Sequence, residues 1–203
     1  MADPINVFVI PDGPIKVTGA GSVHFCGEPV AASGDLYLCR CGESSNAPFC
    51  DGSHSRSGFS GACESSKDKE IRVWEGNTLR TFFNPNTCMH VFYCKPLKAL
   101  RERELAGDAS AAAEIIEVIG TCPSGALSHE VKGAGAQAAP AAAVAGPVID
   151  IVEGGEIRLQ AAYSINEPLM ARQTDTRATL CRCGLSKNKP WCDGRHRKRK
   201  DFR

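Results

Sequence analysis

Apolar and polar residues alternate in short runs at both ends of the chain. Residues 7–10, 15–18 and 36–39 read as strands, and so do 149–152 and 178–181. In the middle, Ile71-Arg72-Val73-Trp74 and Leu79-Arg80-Thr81-Phe82-Phe83 flank Glu75-Gly76-Asn77, which predicts a hairpin. Asp108 or Ser110 stands where it could cap a helix running to about Ile119, with Gly120 ending it. Residues 134–145 carry eight alanines in twelve and read as a linker. The pattern predicts an α+β chain of small units: a first unit at 1–62, a second at 64–132, a linker at 133–147 and a third unit at 148–203.

The first and third units are copies. Cys39-Arg40-Cys41-Gly42 recurs as Cys181-Arg182-Cys183-Gly184, Cys50-Asp51-Gly52 as Cys192-Asp193-Gly194, and His54 as His196, all at an offset of 142 residues. Gly13-Pro14-Ile15 and Gly146-Pro147-Val148 are expected to open the two copies, at a slightly different offset.

Composition narrows the function. The 203 residues include 24 basic and 23 acidic side chains, so no overall field points to nucleic acid or a membrane surface. No apolar run approaches the roughly 18 residues of a spanning helix. Met1-Ala2-Asp3-Pro4 lacks the basic-then-apolar pattern of a secretory signal, so a cytoplasmic protein is expected. The eleven cysteines are an odd number, and in a reducing compartment they point to metal ligation rather than disulfides.

Each copy spells C-x-C-x8-C-x3-H. Thiolates and a neutral imidazole suit zinc or iron–sulfur. Two cysteines one residue apart can turn toward one site, and a cysteine and histidine one turn apart can share a face. Asp51 and Asp193 are placed to cap that turn, and Pro48 and Pro190 to stiffen the approach to it. A closed Cys3His set is also an ordinary structural zinc site, so spacing alone leaves zinc and iron–sulfur open.

From Cys39 to His54, with Ser44 and Pro48 in place, the segment resembles the CDGSH (NEET) iron–sulfur signature. The second copy keeps Ser186, Pro190, Cys192-Asp193-Gly194 and His196 and departs at Arg195. The resemblance implies two [2Fe-2S] clusters, one on Cys39, Cys41, Cys50 and His54 and one on Cys181, Cys183, Cys192 and His196. It also implies small β-rich modules that pair, either within one chain as a pseudo-dimer or between two chains as a homodimer. A single histidine leaves such a site less negative than four thiolates and eases reduction. It also adds a weak point, because proton and iron compete for one nitrogen.

In the middle unit, Cys88-x5-Cys94 followed by Cys122-Pro123-Ser124-Gly125-Ala126 resembles a divergent single-cluster ferredoxin domain. The resemblance implies a [3Fe-4S] or [4Fe-4S] cluster on Cys88, Cys94 and Cys122, with His90 or Cys63 as candidates for a fourth ligand. The alternative is a small α+β domain with three reduced cysteines. Cys26, Cys63, His24 and His129 read as structural or surface residues, and Arg40 and Arg182 as cations that screen a cluster or are solvated. Residues 195–203, with six basic side chains in nine, read as a solvated terminus rather than a nucleic-acid site, since no aromatic platform accompanies them.

No nucleophile–base set or nucleotide loop is visible, so a non-enzymatic protein is expected. The reading is one-electron transfer, or storage and transfer of a cluster, toward a redox or cluster-acceptor protein. The alternatives are a redox subunit of a partner oxidoreductase and a zinc-stabilised interaction module.

Overall fold

The computed structural model describes residues 5–19, 22–30, 34–65, 69–133, 148–160, 162–166, 176–200 and 202. The first copy contributes β1 (Ile5–Val9), β2 (Ile15–Thr18), β3 (Ser22–Phe25), β4 (Glu28–Pro29) and β5 (Leu36–Leu38). The middle unit contributes β6 (Arg72–Glu75), β7 (Leu79–Phe83), α1 (Leu97–Leu105), α2 (Ala111–Gly120) and β8 (Leu127–Val131). The second copy contributes β9 (Val148–Ile151), β10 (Ile157–Leu159), β11 (Tyr163–Ile165) and β12 (Ala178–Leu180). The expected linker lies outside the described residues beyond Gly133.

The two copies exchange a strand. One sheet has the order β11-β1-β2-β5 and the other β12-β10-β9-β3-β4. In the first, β11 of the second copy runs parallel to β1, with Ile5 opposite Tyr163. In the other, β3 of the first copy runs parallel to β9, with Val23 opposite Ile149. Alternation along β1 buries Ile5, Val7 and Val9 and leaves Phe8 outside. Ile5 and Val7 join Ile15, Val17 and Leu38 of the first copy and Ile149, Ile151, Ile157, Leu159, Leu180 and Trp191 of the second in one core. Burial shared in this way makes each copy's apolar face depend on the other.

The sheets also correct the alignment of the copies. Pro14 leads into β2, whose counterpart is β10, and Val148 begins β9, the counterpart of β1. Gly13-Pro14-Ile15 therefore corresponds to Gly155-Glu156-Ile157, at the same offset of 142 as the cysteines, and not to Gly146-Pro147-Val148. Gly13 and Gly155 confirm the match: a Cβ on either would press on the side chain three residues back, Ile10 or Val152.

The middle unit is a three-stranded antiparallel sheet, β6-β7-β8, with α1 and α2 closing over Leu79, Leu97, Leu100, Ile115, Ile119 and Leu127. The expected hairpin is present as β6 and β7. Gly120 is the last residue of α2 rather than its terminator, and Thr121 follows as the cap. Glu104 of α1 reaches across to the hairpin turn, accepting from the Asn77 and Thr78 amides at 2.9 and 2.6 Å and from the Thr78 hydroxyl. The unit is pinned to the second copy by arginines. Arg177 is buried and donates to the carbonyls of Ile119, Gly120 and Cys122, capping the C-terminal end of α2 from outside. Among the described residues no helix is long and apolar enough to cross a membrane.

Candidate metal centres

Each C-x-C-x8-C-x3-H segment is built the same way. Cys39 leaves the end of β5, and the chain loops back so that its amide donates to the Pro48 carbonyl at 2.8 Å while the Cys50 amide donates to Tyr37 at 2.8 Å. The second copy repeats this with Cys181 on Pro190 and Cys192 on Thr179. The serine of each loop holds it closed, Ser44 donating to Phe49 and Ser186 to Trp191. Asp51 accepts from the Ser53 amide and also from Ser45, and Asp193 accepts from the Arg195 and Lys187 amides. The N-cap positions themselves fall on Gly52 and Gly194, without a side-chain cap, so the aspartates, expected as caps, instead brace the residue two positions on and tie the turn to the long loop. The turns themselves are 3-10, at Ser53–Ser55 and Arg195–Lys198.

This folding brings the eight donors together in pairs. The sulfurs of Cys39 and Cys41 are 3.7 Å apart, as are those of Cys181 and Cys183. Cys50 Sγ is 3.4 Å from His54 Nδ1, and Cys192 Sγ is 3.4 Å from His196 Nδ1. Metal–sulfur bonds of about 2.3 Å at tetrahedral angles put two sulfurs on one metal about 3.7 Å apart, and a sulfur and an imidazole nitrogen slightly closer. Each pair thus fits one metal. A single tetrahedral ion would gather all four donors within a similar distance. Among the described residues, the only three His, Cys, Asp or Glu donors mutually within 4.8 Å are Glu156, Cys192 and His196. No three donors of one C-x-C-x8-C-x3-H segment lie mutually within that distance among the described residues.

The surroundings suit anionic sulfur. Gly42 and Glu43 amides point at Cys39 and Cys41, and Gly52 and Gly194 amides at Cys50 and Cys192. Without a cation, burial pushes the Cys41 thiol up to about 11 against the pull of the Glu43 amide. Cys183 lies far above the usual thiol range through its hydrogen bond with Cys181 and its burial, while the same bond draws Cys181 down to about 6; burial, helped by the nearby Cys181, Glu156 and Asp193, raises Cys192.

Arg40 and Arg182 are neither solvated nor loose. Arg40 donates to Gly13 and Ile10 and stacks on Phe59, and Arg182 donates to Val152 and stacks on Phe202. The basic tail is likewise engaged: Arg197 donates to Met89 and His90, and Arg199 to Cys183 and Glu43. The two C-x-C-G loops meet back to back. A Cβ on Gly42 would stand 2.8 Å from the Cys183 oxygen, and one on Gly184 2.5 Å from that of Cys41, both at positive φ.

In the middle unit, Cys88, Cys94 and Cys122 line one apolar pocket with Phe83, Val118 and Leu127. Cys122 follows α2, and Cys94 precedes α1. Between Cys88 and Cys94 the chain coils tightly, with His90 and Phe92 both in the left-handed region at φ 57° and 62°. His90 Nδ1 is 3.8 Å from Cys88 Sγ, whereas Cys63 lies against Lys187 and Asn188 of the second copy. Of the two fourth-ligand candidates, the fold brings His90 to Cys88. Cys26 is exposed, and His129 is buried in β8.

A family model described as iron-binding zinc finger CDGSH type matches residues 12–55 and 146–197, and one described as a divergent 4Fe-4S mono-cluster matches residues 74–132. The chain is an iron–sulfur protein with two CDGSH segments. The comparisons with curated proteins and with solved structures returned no match. The CDGSH segments and the domain they flank make up the α+β architecture described above. One residue at a CDGSH site escapes the sequence reading. Glu156, next to Cys192 and His196, lies far from both in sequence and outside the ligand pattern. Alignment at the 142-residue offset sets it against Pro14, a difference between the copies and the one signal of it in the sequence.

Proposed function

We propose that each CDGSH segment holds a [2Fe-2S] cluster, and that the protein carries single electrons or stores and passes on clusters. The observation that carries this reading is the division of each donor set into a Cys–Cys pair at 3.7 Å and a Cys–His pair at 3.4 Å. Two pairs, each spaced for one metal, fit a two-iron centre and not a single zinc ion. Cys39 and Cys41 would hold one iron and Cys50 and His54 the other; in the second copy the pairs are Cys181 with Cys183 and Cys192 with His196.

A bound cluster supplies one-electron chemistry that no side chain here provides. The protein's part is to hold and tune it. Amides aimed at the sulfurs stabilise thiolate charge, and each histidine enters as a neutral Nδ1 donor. The middle pocket supports a third centre on Cys88, Cys94 and Cys122, of [4Fe-4S] type by family description and with His90 beside Cys88. A carrier or cluster-handling role is favoured over an enzyme's because the donor-lined sites account for the chemistry that can be read. The partner would be a redox or cluster-acceptor protein, met by a chain whose two copies pair internally.

Cys50→Ser and Cys192→Ser test the assignment. Each is expected to remove about half of the visible absorbance and iron owed to the CDGSH segments and to leave the other half. Unchanged iron in either variant would strike that residue from the ligand set.

A further inference from the structure

The two CDGSH sites share a backbone plan but not their surroundings. Cys50 and His54 are partly exposed, whereas Cys192 is 2% and His196 7% exposed. The cover comes from the middle unit, where Arg197 donates to Met89 and His90, and from Glu156, which is itself 2% exposed. One Glu156 oxygen accepts from Arg158 Nε at 2.8 Å, and the other lies 3.6 Å from His196 Nε2. In the first copy the corresponding residue is Pro14, so no carboxylate stands there.

Resting on the cluster-binding reading above, we propose that Glu156 is a positioning residue for the second site: its buried carboxylate faces the outer nitrogen of His196, fixes Nδ1 as the metal-binding atom, and makes this the site that retains its cluster while the first exchanges. His196 presents Nδ1 to Cys192, so its other nitrogen carries the proton, and that N–H points toward a charged acceptor. A carboxylate behind a ligating histidine orients the ring and raises its basicity, and loss of such a partner typically weakens metal binding about 10- to 100-fold. At 3.6 Å the contact is electrostatic rather than a formed hydrogen bond, and burial keeps it from being screened. Arg158 holds the carboxylate in place. Arg197, where the first copy has Ser55, brings opposite charge near His196, but its guanidinium is engaged by the Met89 and His90 carbonyls. The negative charge of Glu156 favours the oxidised form, so the carboxylate lowers the potential of the second site.

The test uses the full chain at neutral pH in two backgrounds, Cys50→Ser to leave the second site and Cys192→Ser to leave the first, each with and without Glu156→Gln. All four are challenged with excess ferrous chelator under reducing conditions, with bleaching of the visible absorbance as one readout and the reduction potential as another. The first site is expected to bleach at least about ten-fold faster than the second. Glu156→Gln should speed loss from the second site about ten-fold and raise its potential, leave the first site unchanged, and be reversed by Glu156→Asp. Equal rates at the two sites, or a Glu156→Gln chain unmoved in both rate and potential, would overturn the proposal. If Glu156→Gln fails to fold, Pro14→Glu in the Cys192→Ser background decides: it should slow loss and lower the potential of the first site, and no change would count against the idea. Absence of iron and sulfide from both parent chains would instead refute the cluster reading itself, before any comparison at Glu156.

Discussion

A histidine in place of a fourth cysteine sets the character of each CDGSH site. Neutral nitrogen leaves the site one charge less negative than thiolate would, which favours the reduced form. His54→Cys is therefore expected to lower the potential of the first site and slow its loss of iron, while the second site stays where it is. A redox titration reads this directly, and an unmoved potential would remove His54 as a ligand. Most of this site was legible from residue types and spacing, because metal-binding chemistry restricts both. Glu156 was not, because a carboxylate acting through a ligand leaves no spacing rule behind. Of the two readings of Arg40 and Arg182, solvation fails for a related reason: the carbonyls they bind, Gly13 and Val152, are brought to them only by the sheets.

Among the elements, α1 depends on the hairpin it packs against. Burial opposes ionisation of Glu104, but the Thr78 and Asn77 donors outweigh it and hold the carboxyl below its ordinary range. Because the folded pKa is depressed, this contribution is fully present at neutral pH and is lost as pH falls through the folded value. Glu104→Gln should cost about 1–3 kcal/mol at neutral pH, and the gap from wild type should narrow on acidification below the ordinary glutamate range. Chemical denaturation at several pH values checks it, and a gap that is constant with pH would contradict the assignment. The strands 7–10, 15–18, 36–39, 149–152 and 178–181 and the hairpin were readable because alternation and turn residues announce them. Helix α1 was not, since Leu97–Leu105 buries only Leu97, Leu100 and Glu104, and its apolar stripe is thin. Strands β3, β10 and β11, of three or four residues each, were likewise not read from the sequence.

For the whole molecule, the decisive feature is the exchange of β3 and β11, which joins the two copies in one core. Sequence revealed the duplication but not the exchange, because parallel pairing across more than a hundred residues has no local signature. The exchange predicts that a protease site placed within residues 134–147, once cut, leaves both fragments associated on size exclusion. Their separation would mean that the linker, not the sheets, holds the copies together. The same exchange brings the C-x-C-G loops together at Gly42 and Gly184, so the two metal centres sit in one folded unit. Analysis of iron, zinc and acid-labile sulfide in the purified chain decides what those centres contain. The expected result is a red-brown protein with no zinc and about four iron and four sulfide per chain from the CDGSH segments, rising to about seven or eight iron with the middle centre filled. A colourless protein carrying zinc and no sulfide would contradict it.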